Sequence, residues 1–160
     1  MATELDRLLE LMCVHEVDCV VVGGLAAVLQ GAPIVTFDVD IVHERSDANV
    51  ARLIAALSHV EARYRTHPDR VIRPRADALT GPGHSLFTTT VGQLDALGAL
   101  NGSDYEALLP DSVVLDFGGH SIRVLRLERL IEIKRAAGRP KDLRVLPELE
   151  ATLRRIAERG

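Results

Sequence analysis

Hydrophobic positions recur along this chain with two periods, one typical of helices and one typical of strands. Apolar residues spaced three or four apart predict an amphipathic helix over residues 4–15. Short apolar runs at residues 18–22 and 34–42 predict strands. By the same criteria we predict further helices at 24–30, 47–58, 127–137 and 140–158, and a short helix or turn at 104–109. Further strands are predicted at 86–96, 113–117 and 121–125.

Glycines and prolines mark where these elements end. A Gly-Gly pair at 118–119 separates two strand-like runs and predicts a β-hairpin. Gly138 ends one helix, and Pro140 suits the first turn of the next. Residues 61–83 contain prolines and several arginines, so we expect an irregular, mobile loop near the functional site. Together the elements predict a single domain over residues 1–160, of the α/β (α+β) class, with a mixed β-sheet flanked by helices.

The second strand-like run carries two carboxylates. Because side chains alternate between the faces of a strand, Thr36, Asp38 and Asp40 are predicted to share one face. Two carboxylates on one rigid face suit Mg²⁺, which binds a few carboxylate oxygens together with substrate phosphates. The apolar residues of this run are predicted to face the core: Val35, Phe37, Val39 and Ile41.

Composition narrows the class of protein. The chain has 160 residues, of which 47% are hydrophobic, so it is long and apolar enough to build a core. No apolar run is long enough to cross a membrane, and the first residues read as a helix rather than a signal peptide, so we expect a cytoplasmic protein. Aromatic residues make up only 3%, which leaves no stacking platform for single-stranded nucleic acid. Cys13 and Cys19 are expected to be buried, reduced thiols.

Charge is distributed unevenly along the chain. The net charge is -4, yet 11 of the 19 Lys and Arg residues follow residue 122, where only 6 of the 23 acids lie. A basic C-terminal segment suits a ligand that carries phosphates.

Asp95 is our candidate for a third carboxylate. It lies in an otherwise apolar segment, where an acid has few structural roles. Asp116, beside the predicted hairpin turn, is the rival candidate. Its simpler interpretation is a strand-end acid that caps the turn.

The residues around the two carboxylates form a longer pattern that resembles the nucleotidyltransferase fold superfamily. The signature of that superfamily is a Gly-Gly turn after the first core strand, followed by Asp-x-Asp on the second. The pattern looks most like bacterial minimal nucleotidyltransferases with GGxA, a helix and then G-x-P-R-x-T-x-D-x-D. Their C-terminal motif resembles the KRAAGRPKD segment at 134–142. The matching positions before it are Gly23, Gly24, Ala26, Gly31, Pro33, Thr36, Asp38 and Asp40.

The resemblance implies a Mg²⁺-dependent enzyme that transfers an NMP group from an NTP, such as ATP, to an acceptor. Asp38 and Asp40 would bridge two metal ions, and Asp95 would complete the site, since the subfamily has a matching aspartate. Related proteins belong to toxin–antitoxin pairs, in which the acceptor is tRNA or a partner protein. An RNA or protein acceptor and a cognate antitoxin are therefore the partners that the resemblance implies.

Other residues are candidates for binding the nucleotide. Gly23 and Gly24 would let the backbone approach a phosphate, although a tight strand-to-helix turn explains them equally well. Thr36 either binds a phosphate, orients Asp38 or is an ordinary strand residue. Lys134 is expected to point at the β- or γ-phosphate, together with Lys141 across the Gly-Arg-Pro break.

One position departs from the subfamily pattern. Ile34 stands where the pattern has Arg, a side chain whose forked donors suit phosphate. The alternative function is therefore a catalytically weak or inactive module that binds a nucleotide or a partner protein.

Overall fold

The computed structural model describes residues 3–159 and arranges them around one seven-stranded sheet. Residues 1, 2 and 160 of the predicted domain lie outside this range. In chain order the elements are α1 (Glu4–Val14), β1 (Cys19–Val22), α2 (Gly23–Leu29), β2 (Asp38–His43), α3 (Asp47–Ser58), β3 (Arg63–Tyr64), α4 (Ala76–Leu79), β4 (His84–Thr89), β5 (Gly92–Leu97), α5 (Tyr105–Leu108), β6 (Ser112–Phe117), β7 (His120–Leu125), α6 (Leu127–Ala137) and α7 (Pro140–Arg159).

The sheet is mixed, with strand order β3-β4-β5-β2-β1-β7-β6. The central strand β2 runs antiparallel to β1 and parallel to β5. The strand β1 in turn runs parallel to β7, and hairpins close both sides of the sheet. A mixed sheet flanked by helices is the predicted α/β fold class, which the structure confirms.

Two groups of helices cover the sheet. The helix α1 packs on α3 and contacts β2, β5 and β7, while α2 contacts α6, which packs along α7. The central strands are buried because both faces are covered, and Val20, Val39, Ile41 and Leu94 have no exposed surface. Apolar burial of this kind is the main force that stabilises the fold.

Local sequence signals explain several element ends. The Ser46 side chain accepts a hydrogen bond from the Asn49 amide and caps α3. Gly138 ends α6 in the left-handed conformation, with φ +66°. The hairpin of β6 and β7 turns at Gly118 and Gly119, both with positive φ, as their pairing in the sequence indicated.

The strand predicted over residues 34–42 is wrong in its first half. The strand β2 begins at Asp38, and Val35 and Phe37 are each 79% exposed instead of facing the core. The physical reason is that, within residues 3–159, no strand extends far enough to pair with residues 34–37. The strand β1 gives way to a helix at Gly23, and the pairing with β5 begins at Asp38 opposite Gln93.

The single strand predicted over residues 86–96 is also wrong, because the structure divides it into the hairpin of β4 and β5. The turn falls at 90–91, where the Thr89 hydroxyl accepts a hydrogen bond from the Val91 amide and donates one to the Gly92 carbonyl. Gly92 follows with φ +111°, which few other residues adopt. Residues 61–83, predicted to be irregular, contain the short elements β3 and α4.

The length and hydrophobicity of the helices bear on whether the chain could span a membrane. No helix within residues 3–159 combines the length and apolar character that crossing a membrane requires.

Cys13 and Cys19 are free thiols. Burial raises the pKa of Cys19 to about 12, which leaves that thiol protonated and unreactive at neutral pH.

Candidate metal and nucleotide site

Three aspartates meet at the middle of the sheet. Asp38 and Asp40 lie on one face of β2, and Asp95 lies directly beside Asp40 on the parallel strand β5. Each residue offers a carboxylate oxygen within 4.8 Å of the others. The structure thus brings together the three carboxylates that the sequence singled out. The rival, Asp116, is exposed on the edge strand β6, which β1 and β7 separate from β2.

The electrostatics of this cluster favour a bound cation. Burial, together with the neighbouring carboxylates of Asp95 and Asp38, raises the pKa of Asp40 to about 7, against an opposing effect of Lys134. Its Oδ1 atom is buried without a hydrogen-bond partner among the described residues. Three hard oxygen donors and an unsatisfied buried oxygen fit a divalent cation such as Mg²⁺.

The glycine turn makes room for Asp40 and Thr36. A Cβ atom on Gly23 would lie 2.4 Å from Asp40 Oδ2, and Gly23 has φ +69°. A Cβ atom on Gly24 would lie 3.0 Å from the Thr36 hydroxyl. The Thr36 hydroxyl in turn lies 3.4 Å from the Asp38 carbonyl oxygen, a long and weak hydrogen bond. Both glycines therefore have a packing role at the site itself.

Arg65 is a site residue that the sequence did not identify. Its guanidinium donates a hydrogen bond to Asp95 Oδ1 at 2.7 Å and another to the Phe87 carbonyl at 2.9 Å. Both members of this ion pair are largely buried. The sequence placed an arginine-rich loop near the site, but the contact joins residues 30 positions apart and has no local signal.

The predicted nucleotide-binding lysines lie across the cavity from the sheet. Lys134 on α6 lies 3.6 Å from Asp142 Oδ1, and the Arg139 guanidinium donates to Asp142 Oδ2 at 2.6 Å. Burial alone would raise the pKa of Asp142, but the Arg139 hydrogen bond and the Lys134 charge outweigh it and lower that pKa. Asp142 therefore holds both Lys134 and Arg139.

One open cavity connects these groups. Its volume is about 590 Å³, within the range of ligand sites, which is roughly 300–1,000 Å³. Ile34 also lines the cavity, so the position where the subfamily pattern has Arg faces the site without a charge. Charged and small residues from both sides line it: Gly23, Gly24, Asp38, Asp40, Asp95, Lys134, Arg139 and Lys141.

Comparison with known proteins supports the fold. Neither a protein-family model nor a curated protein matches this sequence. Among solved structures, that of a putative nucleotidyltransferase from Thermotoga maritima is similar, with a TM-score of 0.56 and 18% identity over 98% of this chain and 91% of that one. At this identity the likeness shows the fold alone. The chain therefore has a nucleotidyltransferase-like fold, with an acidic cluster that can hold a metal ion.

Proposed function

We propose that this chain is a Mg²⁺-dependent nucleotidyltransferase that moves an NMP group from an NTP to a hydroxyl of an RNA or protein acceptor. The observation that carries the proposal is the convergence of Asp38, Asp40 and Asp95 within 4.8 Å of one another. Asp38, Asp40 and Asp95 would hold the divalent cations through their carboxylate oxygens. When bound, such cations neutralise the triphosphate and activate the attacking hydroxyl.

The remaining residues bind and orient the substrate. Gly23, Gly24 and Thr36 are assigned to the phosphates at the sheet end of the cavity. Lys134 and Lys141 are assigned to the β- and γ-phosphates, where their charge opposes that of the triphosphate. In the reaction the acceptor oxygen bonds to the α-phosphorus, the bond to pyrophosphate breaks, and the hydroxyl proton leaves toward the carboxylate cluster.

A transfer assay tests this function. Purified protein is incubated with Mg²⁺ and each labelled NTP, alone, with bulk RNA or with a neighbour-encoded protein, which includes a cognate antitoxin if the chain belongs to a toxin–antitoxin pair. We expect label to appear on one acceptor and to be lost with Asp38→Asn or Asp40→Asn. Asp116→Asn is the matched control and should leave transfer unchanged. Equal labelling by wild type and both site variants would contradict the proposal.

The second candidate is a nucleotide- or partner-binding module without efficient turnover. Ile34 favours it, because an apolar side chain faces the cavity where the subfamily pattern has a cation. Mg²⁺-dependent NTP binding without transfer to any acceptor would support this candidate.

A further inference from the structure

Phe37 is an aromatic residue whose side chain is exposed to solvent. The chain has three Phe, two Tyr and no Trp. Phe37 is 79% exposed, whereas Tyr64, Phe87, Tyr105 and Phe117 are half-buried or buried. Leaving a Phe side chain in water forgoes roughly 1.5–3 kcal/mol of burial free energy. A ring that the fold itself does not cover is available to a ligand.

The position of Phe37 points to the kind of ligand. It directly precedes Asp38 and lines the same 590 Å³ cavity as the three aspartates. It lies on the segment between Gly31 and β2, which pairs with no strand among the described residues, so Phe37 is not part of the sheet.

The proposed function assigns the three aspartates, the glycine turn and the lysines of the cavity to cations and phosphates. The carboxylates and the glycine turn lie at the sheet, and Lys134 and Arg139 lie on the helical side. A nucleotide also carries a planar base, which needs a flat apolar partner. Base–aromatic stacking is worth roughly 1–3 kcal/mol per base and tolerates every base, since each has a π face.

We propose that Phe37 is the base-stacking subsite for the nucleoside triphosphate. This inference rests on the proposed function, because it assigns the base of the same NTP. It makes Phe37 a binding residue that contributes to affinity for the nucleoside part and not for the phosphates. It also predicts weak base selectivity, with purine NTPs bound more tightly than pyrimidine NTPs because their stacking area is larger.

Calorimetric titration with two probes separates the base from the phosphates. The probes are ATP and inorganic tripolyphosphate, each with Mg²⁺. We expect Phe37→Ala to weaken ATP binding about tenfold or more while leaving tripolyphosphate binding within twofold of wild type. Phe37→Tyr, which keeps a ring, should bind ATP like wild type, and Phe37→Leu should lose most of the affinity. Because Phe37 is exposed, none of these changes removes core packing.

Val71→Ala is the matched control. Val71 is also an exposed hydrophobic residue, with 62% of its surface accessible, but it has no π face and does not line this cavity. It should leave ATP affinity unchanged.

Several outcomes overturn the inference. Unchanged ATP affinity in Phe37→Ala overturns the stacking subsite, even if transfer slows, because the ring would then serve the acceptor. An equal loss of ATP and tripolyphosphate binding overturns it as well. In both cases tripolyphosphate binding by the wild type leaves the proposed function standing. A wild type that binds neither probe overturns the proposed function together with the subsite.

Discussion

At the scale of single residues, Asp40 departs far from the ordinary chemistry of an aspartate. Its pKa is raised to about 7 by burial and by the adjacent carboxylates, whereas in the unfolded chain it returns to about 3.8. The folded state therefore holds this proton more tightly than the unfolded chain does. The stabilisation is fully present below about pH 4 and is lost as the pH rises through about 7.

This linkage predicts the pH dependence of stability without divalent ions. In EDTA, the free energy of unfolding of the wild type should fall between pH 4 and pH 8, by on the order of 3 kcal/mol from this group. Asp40→Asn should show a flatter profile and should be more stable than the wild type at pH 8. Urea unfolding at several pH values measures both, and parallel profiles for the two proteins would show that Asp40 titrates normally.

The Arg65 guanidinium positions the third carboxylate, because it donates one hydrogen bond to Asp95 and another to the Phe87 carbonyl. We expect Arg65→Ala to lower the transfer rate about tenfold to hundredfold at saturating Mg²⁺, because a poorly positioned group costs rate. Arg65→Lys should restore only part of it, since lysine lacks the fork. Arg75, which pairs with Asp77 on the exposed surface, supplies the control Arg75→Ala, and an equal loss in that variant would contradict a positioning role.

Ile34 lines the cavity at the position where the subfamily pattern has Arg, so we expect it to limit the proposed activity. Ile34→Arg should raise transfer or NTP affinity, because stabilising charge on a transferring group is commonly worth a few kcal/mol. The same assay on Lys134→Ala tests whether Lys134 supplies the positive charge that the arginine would provide. No gain from the arginine, with a collapse in Lys134→Ala, would show that Lys134 already supplies the cation.

At the scale of elements, the turn between β1 and α2 determines where Asp40 can lie. Gly23→Ala should destabilise the chain through its positive φ and should also weaken Mg²⁺ binding, because the new Cβ would lie 2.4 Å from Asp40 Oδ2. Gly31→Ala is the control: it also has positive φ, but no atom lies within 4 Å of its Cβ position. Each substitution should lower the free energy of unfolding by roughly 1–2 kcal/mol, measured by thermal unfolding. Equal Mg²⁺ affinity in both variants would show that the clash is relieved without cost to the site.

Element boundaries that depend on a local sequence signal were predictable. Boundaries that depend on how far a neighbouring strand extends were not. The cap of α3 follows from the Ser46 hydroxyl, and the end of α6 and the turn at Gly118 follow from glycines that adopt positive φ. Each signal lies within a few residues of the feature that it determines. The start of β2 depends on how far β1 and β5 extend, which no pattern within 34–42 encodes. That is why Phe37, apolar and in strand phase, was expected in the core and is instead exposed.

At the scale of the whole molecule, the fold brings two chemically different parts of the chain together. The strands β2 and β5, which carry the three aspartates, occupy the middle of the sheet, and the basic segment of α6 and α7 lines the cavity from the helical side. The three aspartates were predictable because strand alternation and an acid among apolar residues are visible in the sequence. The contacts of Arg65 and Asp142 were not, because they depend on tertiary packing.

The most direct test of this account is a Mn²⁺ titration followed by electron paramagnetic resonance, with Mn²⁺ standing in for Mg²⁺ and a non-hydrolysable ATP analogue present. We expect saturable binding in the wild type and in Asp116→Asn, and none in the double variant Asp38→Asn/Asp40→Asn. The double variant should remain folded, because removing neighbouring like charges does not destabilise the chain. Equal Mn²⁺ binding by the folded double variant and the wild type would contradict the central claim that these aspartates hold the cations of a nucleotidyltransferase site.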